Sequence, residues 1–169
     1  MNTKALLVID VQKDVVANAV KTSEVIANIN SLISNARISN VPVIWVQHSD
    51  DYLVKGSTGW DIVDELKPLP DDVRIYKTQP SSFAETDLQA QLDSLGTKSL
   101  IITGAQTDYC VNATSNVGVE LGYQVTLVSD AHTTEDSDTK TATDLIDEKN
   151  STFAQIGEVL KTSEISFTK

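Results

Sequence analysis

Apolar residues follow two rhythms along this chain. Short continuous runs alternate with stretches in which apolar side chains recur every three or four residues. Residues 5–9 (ALLVI) form a run of the length expected for a strand buried on both faces. Val25, Ile26, Ile29, Leu32, Ile33 and Ala36 then trace one helix face, with Thr22 or Ser23 as its N-cap. Residues 41–46 predict a second buried strand. Residues 47–69 read as loop, with Gly56, Gly59 and Pro68 and one short helix near 60–66. Residues 73–76 predict a third strand. Leu88, Leu92 and Leu95 mark a helix that Gly96 ends. Residues 99–103 predict a fourth strand closed by Gly104, and 111–121 a helix ended by Gly122. Residues 124–128 predict a fifth strand. Residues 138–160 read as helical, in one piece or in two meeting near Asn150, and 165–167 as a sixth, edge strand.

Strands alternating with helices predict parallel βαβ units and a sheet covered on both sides. No internal repeat, low-complexity tract or linker interrupts the pattern, so one α/β/α domain over residues 1–169 accounts for it.

Composition changes the picture little. The chain has 169 residues, 40% hydrophobic and 22% charged, as in an ordinary globular protein. The net charge of −11 repels phosphate backbones and anionic lipid, so nucleic acid and membrane partners are not expected. The apolar run at 5–9 is too short for a secretory h-region and is stopped by Asp10. With a single cysteine there is no internal disulfide. Together these features favour the cytoplasm.

Candidate chemistry follows from strand ends. In open parallel sheets, ligands sit at the carboxyl ends of the strands, near the point where strand order reverses. Strand one ends at Asp10, strand two at Gln47 and His48, and strand three at Lys77. Strand four ends at Gly104, six residues before Cys110. An acid, an ammonium and a thiol therefore face one edge of the sheet. The thiolate is the nucleophilic form of cysteine. At the start of the helix 111–121, Cys110 gains from the helix dipole, and Lys77 nearby favours the thiolate further. Asp10 is placed to accept the thiol proton and return it to a leaving group. Backbone N–H groups of the turn 105–110 are placed to bind an oxyanion. Each residue also has a plainer role. A lone cysteine is more often a small buried hydrophobe, a strand-end Asp a turn residue, and a Lys a solvated chain lying over apolar surface. Only their joint placement favours catalysis.

At these residues the sequence resembles the isochorismatase-like cysteine hydrolases, which include nicotinamidases and N-carbamoylsarcosine amidases. Residues 5–14 are similar to the family's opening strand, with its Asp10-x-Gln12-x-Asp14. Lys77, Ser82-Phe83 and Thr86-Asp87-Leu88 resemble the lysine segment. Residues 101–111 (IITGAQTDYCV), continued by Ala113-Thr114, resemble the nucleophile signature, and Gly122-Tyr123 and Asp130-Ala131 match later positions. The resemblance implies a Cys110–Asp10–Lys77 triad and a six-stranded, mainly parallel sheet in the order 3-2-1-4-5-6. It also implies a cis peptide between Ala105 and Gln106, with the N–H groups of Gln106 and Cys110 as the oxyanion site. A small amide or carbamoyl substrate is implied, as is a homodimer or homotetramer.

Departures from the family pattern narrow this. Nicotinamidases carry Asp-x-His and a further His after strand two as metal ligands. Here the matching positions are His48 and Asp50, and the only other histidine, His132, follows strand five. No complete ligand set is found, so neither a metal nor any other cofactor is expected, and nicotinamide is disfavoured. True isochorismatases generally lack the cysteine, so Cys110 points to acyl chemistry. Val15 stands where the family has Phe. His48 either lines the pocket or caps its loop. Gln12, Trp60, Phe83 and Tyr109 are candidates for the pocket wall, and Trp45 for the core. The competing expectation is a non-catalytic or redox-sensing oligomer on the same fold, marked by an ordinary thiol titration at Cys110.

Overall fold

The computed structural model describes residues 3–168. Its centre is one six-stranded sheet in the order β3-β2-β1-β4-β5-β6, and every adjacent pair is parallel. The strands are β1 (Lys4–Ile9), β2 (Val43–His48), β3 (Val73–Lys77), β4 (Ser99–Ala105), β5 (Gln124–Thr133) and β6 (Glu158–Leu160). Helices α1 (Lys13–Val16), α2 (Thr22–Ile38), α3 (Leu88–Ser94), α4 (Asn112–Glu120) and α5 (Ala142–Phe153) alternate with them.

The continuous apolar runs separate by parity, because successive strand side chains point to opposite faces. Leu6 and Val8 of β1 join Val43 and Trp45 of β2 against the Ile29, Leu32 and Ile33 stripe of α2. Ala5, Leu7 and Ile9 join Ile44, Val46, Leu88 and Leu92 on the other face. Each face therefore has its own apolar layer. At the rim of the first, Arg37 gives Asp72 a two-pronged ion pair, and Trp45 Nε1 donates to the same carboxylate at 2.8 Å.

Several expected elements shift. The sixth strand is Glu158–Leu160, paired with β5 through Thr126↔Glu158, and 165–167 is not a strand. That segment returns over the first core layer and buries Phe167, which produces the alternation that mimics an edge strand. The helix expected over 138–160 begins only at Ala142, where Thr141 Oγ1 accepts from Asp144 N at 3.2 Å, and ends at Phe153. Gly157 then packs so closely on the Phe153 ring that a β-carbon there would lie 2.4 Å from it. Between 60 and 66 there is only the end of a 3₁₀ turn, Thr58–Trp60, and Ile62 makes an isolated bridge to Gln12. Helix α1 is too short to show a periodic pattern. Neither Thr22 nor Ser23 caps α2, whose N-cap is Lys21 in the left-handed region. Strand β5 runs to Thr133 through an irregularity opposite β4: Ile102 pairs Leu127, but Gly104 pairs His132.

Order reverses between β1 and β4, and there the two strands come unusually close. A β-carbon on Gly104, whose φ is 120°, would lie 2.0 Å from Ile9 O. Glycine is the side chain that permits this approach. The next residue of the first chain segment is Asp10.

Candidate active site

Asp10 continues the β1–β2 ladder by donating its N–H to Val46 O at 2.9 Å, then turns out of the sheet with φ 49°. Asp is one of the few residue types that tolerates this left-handed backbone, and such strain is concentrated at functional sites. The turn directs the carboxylate inward. Asp10 Oδ2 meets Lys77 Nζ at 2.8 Å, and both side chains are buried.

The Lys77 ammonium has two more neighbours. It donates to Cys110 Sγ at 3.1 Å and lies 3.1 Å from His48 Nδ1. An ammonium has only donors, so His48 Nδ1 is the acceptor and the ring proton sits on Nε2. That nitrogen lies 3.3 Å from Asp50 Oδ2. The ends of β1, β2 and β3 and the turn after β4 thus place one cation among a carboxylate, a thiol and an imidazole.

Cys110 does not begin a regular helix. It lies in a π-helical turn, Thr107–Val111, that runs directly into α4. Gln106 O accepts from both Tyr109 N at 3.2 Å and Val111 N at 3.1 Å. Wide turns of this kind recur at functional sites. The peptide between Ala105 and Gln106 is cis. Thr107 anchors the turn through its Oγ1, which lies 2.8 Å from His132 Nδ1. His132 Nε2 faces Asn150 Oδ1 at 2.9 Å, and Asn150 Nδ2 donates to Ser129 O. The amide orientation leaves the His132 proton on Nε2, so Thr107 is the donor to Nδ1. Burial holds the His132 pKa below its usual value.

The electrostatics of the thiol reverse the expectation of a stabilised thiolate. Burial pushes the Cys110 pKa up to about 12, and the Asp10 charge adds to it against Lys77. Desolvation outweighs the ammonium because a thiolate here loses water on most sides. Asp10 is also raised, first by burial and against the pull of Lys77. The resting arrangement is therefore a neutral thiol beside a Lys77–Asp10 ion pair. Asp10 Oδ1 is buried without a hydrogen-bond partner among the described residues.

In front of Cys110 lies a cavity of about 490 Å³. Asp10, His48, Gln106 and Tyr109 line it, as do Asp14, Val15, Asp50, Tyr52, Leu53 and Pro80. A hollow of similar size, about 470 Å³, opens at the opposite ends of the strands by Lys4, Ser99 and Glu158, away from the cysteine. Cys110 therefore decides which cavity is the candidate site.

Three residues expected on the wall lie elsewhere. Gln12 is fully buried and clamps the β2 end: Oε1 accepts from His48 N at 2.9 Å, and Nε2 donates to His48 O and Trp60 O at 3.0 and 2.9 Å. Trp60 stacks on Tyr76 with ring centroids 5.8 Å apart, outside the cavity. Phe83 stacks on Tyr123 at 5.9 Å and packs in the second core layer. Its neighbour Ser82 ties the loop after β3 to α4 through Thr114, with Ser82 N donating to Thr114 Oγ1 at 2.9 Å. Conversely, Tyr52, Leu53 and Pro80 reach the cavity from loops that carry no periodic pattern, so the sequence did not single them out.

Ligand atoms of Asp10, His48 and Cys110 all lie within 4.8 Å of one another, a spacing that suits a metal ion. Lys77 Nζ contacts the same three side chains, so the ammonium already occupies the position that a cation would take. These residues fit a metal poorly while Lys77 is charged.

Comparison with known proteins gives a consistent result. The isochorismatase domain model matches residues 4–159. An uncharacterized isochorismatase family protein, YddQ of Bacillus subtilis, is 36% identical over 76% of this chain and 77% of its own length. A probable inactive nicotinamidase of Arabidopsis thaliana is 31% identical over 86% of this chain and 88% of its own. The ureidoacrylate amidohydrolase RutB of Pseudomonas savastanoi pv. phaseolicola is 30% identical over 65% of this chain and 58% of its own. Among solved structures, an isochorismatase family protein superposes with a TM-score of 0.92 at 29% identity, covering 95% of this chain and 99% of the other. A cysteine hydrolase from Pseudomonas syringae pv. phaseolicola superposes with a TM-score of 0.90 at 26% identity, covering 96% and 90%.

Proposed function

The chain belongs to the isochorismatase family, and from that premise we propose that it is a cysteine hydrolase cleaving a C–N bond of a small amide or carbamoyl compound through a Cys110 thioester. The observation that carries this reading is the Lys77 ammonium held between Asp10 Oδ2 and Cys110 Sγ. Resemblance to an amidohydrolase and to a solved cysteine hydrolase supports it.

The resting thiol is neutral, so nucleophile formation and attack are coupled. Asp10 takes the thiol proton as sulfur bonds to the carbonyl carbon. The carbonyl electrons move to oxygen, where the N–H groups of Gln106 and Cys110 receive the oxyanion. Lys77 balances the charge as it passes from carboxylate to sulfur. The C–N bond then breaks, and Asp10 gives its proton to the departing nitrogen. Water attacks the thioester with Asp10 again accepting a proton, and the acid product leaves as the thiol reforms. The raised pKa of Asp10 suits it to both directions of transfer. A cytoplasmic homodimer or homotetramer belongs to the same proposal.

The test is a screen of small amides, ureas and carbamoyl compounds with ammonia detection, followed by Cys110→Ala. The expected loss is about 1000-fold or more in kcat with the fold intact. Full activity in Cys110→Ala on a verified substrate would overturn the proposal. The resemblance to a probable inactive nicotinamidase keeps a non-catalytic reading in view, and a screen without Cys110-dependent turnover would favour it. Redox sensing belongs to that same alternative reading, and the burial that pushes the Cys110 pKa up works against it by disfavouring the thiolate that oxidation uses.

A further inference from the structure

We propose that Thr107 and His132 are positioning residues for the nucleophile: the hydrogen bond between them, seconded by one from Thr134 to Asp108, sets where Cys110 Sγ stands relative to Lys77 and so how fast it attacks. This rests on the hydrolase reading and adds to the same site residues that do not touch the substrate.

Three consecutive side chains ahead of Cys110 tether its turn. Gln106 Nε2 donates to Val15 O at 3.2 Å, Thr107 Oγ1 donates to His132 Nδ1 at 2.8 Å, and Asp108 Oδ1 accepts from Thr134 Oγ1 at 2.7 Å. Two of the three lead to the end of β5 and the residue after it. Asn150, whose Oδ1 lies 2.9 Å from His132 Nε2, holds the ring in the tautomer that accepts from Thr107.

The irregularity between β4 and β5 brings that segment to the turn. Between the pairs Ile102↔Leu127 and Gly104↔His132, β4 has only Thr103, whereas β5 has residues 128–131. Insertions of this kind re-aim the side chains that follow them. The displaced end is strapped down in turn, because Thr133 Oγ1 donates to Val20 O and Val20 N donates to Thr134 O at 3.0 Å. Thr107, His132, Thr133 and Thr134 are all buried.

Thr107, His132, Thr134 and Asn150 are not among the described residues that line the cavity before Cys110. His132 and Asn150 border a separate hollow of about 140 Å³ instead. Their effect on turnover therefore passes through the turn. Thr107 and Cys110 share that single turn, so a shift of one carries the other. The Lys77 Nζ to Cys110 Sγ contact is 3.1 Å, and a misplacement of about 1 Å costs on the order of 100-fold in rate.

Cys110 is the only cysteine, so iodoacetamide labelling reads its surroundings without turnover. The experiment measures how much Lys77→Met slows labelling at about pH 8 in the wild-type background and in Thr107→Val, which loses the hydroxyl at nearly constant shape. A several-fold slowing in the first is expected to shrink below about twofold in the second, because Sγ no longer sits at Nζ. On a verified amide substrate, Thr107→Val lowers kcat about tenfold or more with KM within about threefold, and Thr107→Ser, which keeps the hydroxyl, recovers most of the loss. Should Thr107→Val not fold, His132→Leu and His132→Asn make the same comparison from the other end of the bond: kcat falls in the first and partly recovers in the second, whose amide oxygen stands near the place of Nδ1. Wild-type kcat in the variants that lose the bond, no recovery in those that keep it, or a Lys77→Met effect that is absent in wild type or undiminished in Thr107→Val overturns the proposal. The labelling result needs no substrate, so it stands apart from Cys110-dependent amide cleavage, on which the hydrolase reading depends.

Discussion

Lys77 Nζ lies 2.8 Å from Asp10 Oδ2, and both side chains are buried at the floor of the cavity. A buried pair of this kind is held together more by the cost of separating it than by any net gain over apolar packing. Its effect on Cys110 is twofold, because the Asp10 charge raises the thiol pKa and the Lys77 charge lowers it.

Opposite substitutions should therefore move alkylation of Cys110 in opposite directions. Wild-type labelling by iodoacetamide should climb with pH up to about pH 10 without a plateau, because the pKa of about 12 lies above that range. Asp10→Asn removes the negative neighbour, so labelling at about pH 8 rises several-fold while hydrolysis is lost. Lys77→Met does the reverse and slows labelling. If Asp10→Asn labels more slowly than wild type, Asp10 is not the charge that holds the thiol protonated.

His48 acts on sulfur through Lys77. His48→Leu removes the acceptor at 3.1 Å from Lys77 Nζ. The expected result is a fall of about tenfold or more in kcat with a smaller change in KM, and slower iodoacetamide labelling. His48→Asn, whose amide oxygen can accept from Lys77, should restore part of both. Equal losses in the two variants would point to shape rather than to the hydrogen bond.

Gly104 sets the distance between the strands that carry Asp10 and lead to Cys110. Gly104→Ala places a methyl 2.0 Å from Ile9 O at φ 120°. The expected cost is roughly 3 kcal/mol or more. Chemical denaturation reads it, with loss of soluble protein as the extreme outcome. A Tm within about a degree of wild type would show that β1 and β4 can separate freely.

His132 makes stability depend on pH. Its folded pKa is depressed by burial, so below about pH 6.5 the unfolded chain binds a proton that the folded chain does not. Stability contributed by neutral His132 is present above the unfolded pKa and is lost as pH falls toward the folded one. Urea midpoints from about pH 7.5 to about pH 5 should fall more steeply in wild type than in His132→Gln, which cannot titrate. Parallel slopes would mean that another group governs acid sensitivity in this range.

Periodicity and strand-end placement determined much of this protein. The buried strands and the face of α2 follow from local spacing, and the family resemblance carried by residues 5–14, 77–88 and 101–114 implied the sheet order that is observed. Asp10, Lys77 and Cys110 are grouped by sequence alone, because each lies at or just beyond the carboxyl end of a parallel strand and ligands collect at that edge. What local pattern could not carry was distance and dielectric. A sequence does not state how deeply a thiol is buried, so the balance between Lys77 and desolvation at Cys110 was decided only in three dimensions. The same holds for Gln12, Trp60 and Phe83, whose residue types suit a pocket wall but whose side chains point into clamps and core contacts. It holds too for β6, where Gly157 broke a helical pattern and a three-residue strand found its partner in β5. Long-range pairing and solvent exclusion are properties of the assembled layers, and they settled the site that the strand ends had brought together.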